Sequence, residues 1–162
     1  MVNWTLVGAV GLPFIGAAYG NIVTKKHIQS GWYESLKFPS YKPPKWVFGP
    51  VWTTLYASMG YASYLIFEQG GRSLTGPAQI PLALYASQLI LNWTWSPLFF
   101  GAHKLRLAFY NCICLSGTIA ATTYAFFQMN QMAGALFVPY LLWTSFATLL
   151  NYSIMNLNEK KD

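Results

Sequence analysis

The chain has 162 residues, of which 54% are hydrophobic, 18% aromatic and 9% charged; an ordinary soluble domain carries roughly 25% charged residues, so the composition excludes a water-solvated globule and points to lipid as the solvent. The formal net charge of +6 lies in loops beside apolar stretches, which favours membrane lipid over nucleic acid as the partner. Charged residues leave four gaps, 1–24, 46–67, 73–103 and 107–158, the last long enough for two spans and a turn. The expectation is an all-α membrane protein, a five-transmembrane-helix bundle forming one domain over 1–162, with spans at about 4–24, 46–67, 79–100, 107–127 and 135–155.

The first span carries Gly8, Gly11, Gly16, Ala17 and Gly20 on a close-packing side, with Pro13 as a kink point. No charged segment precedes it and Lys25 and Lys26 follow, the pattern of a retained helix rather than a cleaved leader. The loop 25–45 holds five lysines and Glu34. Pro39, Pro43 and Pro44 fix φ and remove N–H donors, so 37–45 is expected to be extended and stiff, a lid leading into the second span. In that span Phe48, Trp52, Tyr56, Gly60 and Tyr64 recur every four residues, a stripe that suits either a pocket wall or plain helix packing.

The third span is the most polar. Gln88, Asn92, Trp95 and Phe99 share one face, and an amide in hydrocarbon needs a partner, either another helix or a ligand. Ala83 and Ser87 make a small-xxx-small step suited to a neighbouring helix or a second subunit. Pro97 frees the carbonyl of Trp93 and is expected to kink the span near its end. Residues 101–106 form a basic turn and 128–134 an uncharged one. In the last span Pro139, Trp143, Phe146, Ala147, Leu150 and Ile154 share a face, and 158–162 is expected to be a frayed tail.

Lysines and arginines number nine in the first loop, the third loop and the tail, against Arg72 alone on the other side, which places the first three in the cytoplasm. Cys112 and Cys114 lie two apart within a span and suit neither a disulfide nor a metal motif. His27 and His103 are the only histidines, so no metal site is expected. Sequons begin at Asn3, Asn92 and Asn151, at a membrane edge or inside spans, and are discounted as glycosylation sites.

Trp32-Tyr33, the loop prolines, 45–52 (KWVFGPVW), 92–97 (NWTWSP) followed by Phe99-Phe100-Gly101, and 139–143 (PYLLW) followed by Leu150-Asn151-Tyr152 together carry a family pattern. In order and over nearly the whole chain, it resembles the translocator protein family, also called tryptophan-rich sensory proteins or peripheral-type benzodiazepine receptors. The resemblance implies a membrane receptor or translocator, commonly a homodimer. Its expected ligands are porphyrins such as protoporphyrin IX, sterols such as cholesterol and benzodiazepine-site drugs; porphyrin is a ligand, with no resident cofactor. Matched motifs place Trp52, Asn92, Trp95, Trp143, Ala147 and Leu150 around the pocket, with Phe99 and Phe146 on the same helix faces. Trp32, Tyr33 and Pro43 lie in the closing loop. The family's eukaryotic members imply the mitochondrial outer membrane. Alternatives are oxidative or light-dependent porphyrin breakdown at pocket tryptophans and a scaffold in an outer-membrane complex; the spans offer no acid–base pair or nucleophile.

The chain departs from the animal pattern in two places. No basic residue follows Tyr152 within the distance of the cholesterol-recognition pattern, whereas Arg106, Phe109 and Leu115 satisfy its reversed form, a weak signal. Leu107 stands where animal members usually carry tryptophan.

Overall fold

The structure, a computed structural model, describes residues 2–28 and 31–158. Among these it is all-helical: α1 Trp4–Ile28, α2 Trp32–Ser35, α3 Lys45–Gln69, α4 Gln79–Ser96, α5 Leu105–Met129 and α6 Gln131–Asn158. A 3-10 turn, Gly76–Ala78, precedes α4, and a π-helical segment, Pro97–Gly101, follows it.

The expected count of five helices is therefore corrected to six. The additional helix, α2, lies inside the loop, where prolines stiffen only 39–44 and leave the preceding residues able to coil. Gly31 enters it at φ +76°, and the Ser35 hydroxyl closes the turn on the Trp32 carbonyl at 2.7 Å. The span count is corrected too: by length and composition three helices suffice to cross a membrane, Trp4–His27, Leu105–Met129 and Gln131–Asn158. In α3 and α4, tryptophans, tyrosines, hydroxyls and amides dilute the apolar content.

Boundaries differ for local reasons. Pro97 ends regular α geometry, and the Ala102 N–H donates to the Pro97 carbonyl at 2.8 Å, one residue wider than an α turn. The expected turn at 128–134 shrinks to Asn130 alone. Its backbone is extended, and its side-chain oxygen accepts from the Ala133 N–H at 3.0 Å, capping α6. This hairpin is tight: a Cβ on Gly134 would overlap the Phe127 ring. Asn158, the last described residue, is held in defined hydrogen bonds; the rest of the expected frayed tail, 159–162, with Lys160 and Lys161 counted in the charge asymmetry, lies outside the described residues.

The long helices pack as a closed ring, α1 against α3, then α6, α5, α4 and back to α1. Because lipid tails are as apolar as leucine, polar and close contacts must hold such a ring together. Asn111 Nδ2 donates to the Leu91 carbonyl at 2.9 Å, tying α5 to α4, and the Ser116 and Thr148 hydroxyls meet at 3.0 Å between α5 and α6. Asn3 caps α1 through the Leu6 N–H and reaches Tyr64 of α3, while Asn92 and Asn151 are buried, so each discounted sequon has a structural occupation. Cys112 is buried, Cys114 exposed, and both are free thiols.

Gly60 lets α1 and α3 touch, since a Cβ there would sit 2.6 Å from the Ala9 carbonyl oxygen and the Val10 Cα. Gly60→Ala should cost about 1–3 kcal/mol through backbone displacement. Gly8→Ala, with nothing within 4 Å, should be neutral or slightly stabilising. Thermal unfolding of both variants in detergent checks this; equal melting temperatures would refute the close contact.

Candidate functional site

Inside the ring lies a cavity of about 440 Å³. α3 contributes Phe48, Trp52 and Tyr56; α4 contributes Asn92, Trp93 and Trp95; the π segment adds Phe99 and Phe100. α6 supplies Trp143, Thr144, Ala147, Leu150, Asn151 and Ile154, and α1 closes another side with Phe14, Ala17, Asn21 and Thr24. Tyr33, Lys42 and Lys45 reach it from the loop. Aromatic walls brace one another: Trp52 lies 5.4 Å from Tyr56, Phe48 meets Trp143 edge-on at 5.8 Å, and Trp95 stacks on Phe99 at 5.0 Å.

A polar chain crosses the bundle beside these rings. The Tyr56 hydroxyl donates to Asn92 Oδ1 at 2.9 Å, Asn92 Nδ2 donates to the Tyr140 hydroxyl at 2.9 Å, and that hydroxyl donates to Gln88 Oε1 at 2.8 Å. Three helices are thereby joined through fully or nearly buried groups. Trp95 Nε1 donates to Asn151 Oδ1 at 3.1 Å. Among the described residues, the buried indole N–H groups of Trp93 and Trp143 have no hydrogen-bond partner, and both residues line the cavity. An acceptor on a ligand would satisfy them.

The loop is docked over this cavity. Asn158 Oδ1 accepts from the Lys37 N–H and its Nδ2 donates to the Lys37 carbonyl, both at 2.8 Å. The Tyr41 hydroxyl lies 2.6 Å from that of Ser153. Trp32 stacks on His103 at 3.9 Å and 8°, and Tyr33 packs on Phe100 at 5.6 Å. Lys42 Nζ sits 3.6 Å from the Phe38 ring centre; desolvation, then the charge of Lys45, hold its ammonium below the usual lysine range. Burial pushes the Tyr33 phenol up. Lys45 pairs with Glu34 at 3.6 Å, but both are well exposed, so the pair contributes little. No carboxylate or imidazole is among the cavity-lining residues described.

Of the residues singled out in the sequence, Tyr33, Trp52, Asn92, Trp95, Phe99, Trp143, Ala147 and Leu150 line the cavity, whereas Trp32, Pro43 and Phe146 do not. Phe146 instead packs between Trp143 at 5.5 Å and Tyr41 at 6.3 Å, under the loop. Tyr152 and Phe109 meet at 5.4 Å outside the cavity, and Ala83 and Ser87 are exposed on α4. Sequence reasoning missed Tyr140, the hub of the polar chain. The signal was present: Tyr140, Thr144 and Asn151 form a buried polar line along α6, and such groups in a span demand partners.

Residues 9–157 match the model of the TspO/MBR family. The chain belongs to that family. It is 48% identical over 127 residues to the human translocator protein, covering 78% of this chain and 75% of the relative. Against the translocator protein of Ovis aries it is 43% identical over 155 residues, 94% of this chain and 91% of the relative. The tryptophan-rich sensory protein of Cereibacter sphaeroides is 42% identical over 127 residues, 78% and 77% of the two chains. Like the TspO/MBR family as a whole, the chain is a membrane protein of the translocator or receptor type.

In this TspO/MBR protein, Tyr140→Phe should cost about 1–3 kcal/mol, because it strands the Asn92 donor and the Gln88 acceptor together. Tyr56→Phe breaks one bond and should cost less. Chemical unfolding in detergent reads the difference, and equal losses would refute the hub. Asn158→Ala, by removing both latch bonds, should raise amide exchange at Lys37 without altering the melting temperature; unchanged exchange would refute the latch.

Proposed function

We propose that the chain is a receptor or translocator for planar anionic ligands of the porphyrin class, protoporphyrin IX being the probe of choice. The observation that carries this reading is an aromatic cavity whose described lining holds two lysines and no carboxylate. Trp52, Trp95, Trp143 and Phe48 supply flat apolar walls, while Lys42 and Lys45 supply cations for a ligand's propionates. Its volume falls in the range of ordinary ligand sites, roughly 300–1,000 Å³. A ligand arriving from water that buries about 300 Å² of apolar surface gains roughly 7 kcal/mol before association costs. A sterol already in lipid gains little by the same transfer, so its selectivity must come from shape and a few hydrogen bonds.

Cholesterol is proposed as a secondary, weaker ligand at the exposed Tyr152–Phe109 contact, with Arg106 earlier on the Phe109 helix, and benzodiazepine-site drugs as occupants of the same aromatic cavity. The exposed Ala83–Ser87 step is proposed as a homodimer contact. The mammalian relatives and the shared basic end of the bundle support placement in the mitochondrial outer membrane with the loop and the α6 terminus facing the cytosol. The absence of carboxylate and imidazole from the described cavity lining supports binding over acid–base chemistry.

Titration with protoporphyrin IX should quench tryptophan fluorescence saturably. Trp52→Ala with Trp143→Ala should weaken binding at least about tenfold while the protein stays folded. Lys42→Ala with Lys45→Ala should weaken it about fivefold to tenfold yet leave the uncharged dimethyl ester unaffected. Unchanged affinity in the folded tryptophan double variant would refute the cavity as the site. Equal effects on acid and ester would refute the lysine role.

A further inference from the structure

The chain's two histidines are 76 residues apart, yet His27 Nδ1 and His103 Nε2 face each other at 3.3 Å. Sequence spacing gives no metal motif; the fold creates the pairing. His27 ends the first helix, and His103 stands in the turn after the π segment. That turn is braced by the Ala102 N–H on the Pro97 carbonyl and the Lys104 N–H on the Leu98 carbonyl. His103 itself holds φ +53°, a left-handed backbone uncommon for a residue other than glycine, so its imidazole is placed by an enforced conformation.

A nitrogen separation of 3.3 Å makes a long hydrogen bond between the rings. It matches another geometry. Two imidazoles bound to one tetrahedral ion at about 2.0–2.1 Å place their nitrogens about 3.3–3.4 Å apart and their ring centres about 5.2 Å apart. The observed ring-centre distance is 5.2 Å. A collinear hydrogen bond between the same atoms would put the centres about 5.6 Å apart, so the contact is bent, and the same two nitrogens can share an ion placed beside the line joining them. His103 is exposed, which leaves that point open to water.

We propose that His27 Nδ1 and His103 Nε2 form a binding site for a borderline divalent ion of the Zn²⁺ class, with water in the remaining positions, and that the bound ion holds the loop shut. Among the described residues no third histidine, cysteine or carboxylate joins the pair, and Lys26 and Lys104 are sequence neighbours of the ligands. The site is therefore one of modest affinity, filled and emptied by ion concentration rather than built as a permanent structural centre. The coupling to the loop is direct: Trp32 begins α2 and stacks flat on the His103 ring, and its other ring contact among the described residues is Phe99 at 5.8 Å, edge-on. Fixing the His103 ring fixes the surface on which the loop helix rests. Neither histidine lines the cavity, so the ion and the proposed porphyrin occupy separate sites.

Because the chain has two histidines, ¹⁵N-histidine labelling of tag-free protein in nanodiscs reports on this pair alone. Addition of Zn²⁺ should shift Nδ1 of one ring and Nε2 of the other with a common, saturating dependence near one ion per chain, reversed by chelation. His27→Gln should weaken the response of the remaining ring at least about tenfold, and His103→Gln likewise. Unchanged ring nitrogens at about 1 mM Zn²⁺, or a shift at one ring that persists when the other is removed, overturns the site. The wild-type spectrum decides this even if a variant fails to fold. Hydrogen exchange at 32–36 should slow with Zn²⁺ in the wild type and not in His103→Gln. Unaltered exchange with the ion bound overturns the clamp.

Discussion

The Asn92 side chain is the constraint around which the rest is arranged. In lipid an amide cannot fall back on water, so its oxygen and nitrogen must both be engaged, and here they take the Tyr56 and Tyr140 hydroxyls from two other helices. Only one relative rotation of α3, α4 and α6 brings those atoms together. Once that rotation is set, Trp52 and Trp95 follow, because they stand one turn from Tyr56 and Asn92 on the same helices. Ordinary apolar packing between helices and lipid would not have chosen among rotations so sharply.

The requirement has a cost that is visible in the composition. α3 and α4 provide much of the aromatic and amide lining of the cavity, beside Trp143 and Asn151 of α6, and they are not among the helices apolar enough to cross a membrane on length and composition. α1, α5 and α6 are. A cavity wall and a lipid-facing wall are opposite jobs for a helix, and α6 does both on different faces, with Trp143 and Asn151 lining the cavity and Leu142 and Leu149 exposed. The exposed apolar side chains of α1, Trp4, Val7, Ile15 and Ile22 among them, belong to the second job.

What could be read from the sequence follows from range. Trp52, Asn92, Trp95 and Trp143 were legible because tryptophans and amides at helical spacing inside an apolar span have few other uses. Helix α2 was hidden because four residues give no periodicity, and the break at Asn130 because one residue does the work expected of seven. Phe146 shares a helix face with Trp143, yet adjacency on a wheel does not say which ring reaches a cavity and which lies under a loop. Nothing local singles out Lys42 and Lys45 among the five lysines of the loop, since a lysine over a ring and one in solvent read alike. The pairings of His27 with His103 and of Lys37 with Asn158 span 76 and 121 residues and exist only once the ring of helices has closed.

The latch between Asn158 and residue 37 is asymmetric in what it reads. Asn158 uses its side chain, whereas on the loop side both bonded atoms belong to the backbone. Any residue other than proline at position 37 presents the same N–H and the same carbonyl, but at 158 an amide of this length is needed. The side chain at 37 can therefore change in charge and bulk while the position at which the loop is fastened there stays fixed, unlike Tyr41, whose own hydroxyl meets Ser153. At this one point side-chain identity and closure are uncoupled, and the residue can be exchanged without rebuilding the fastening.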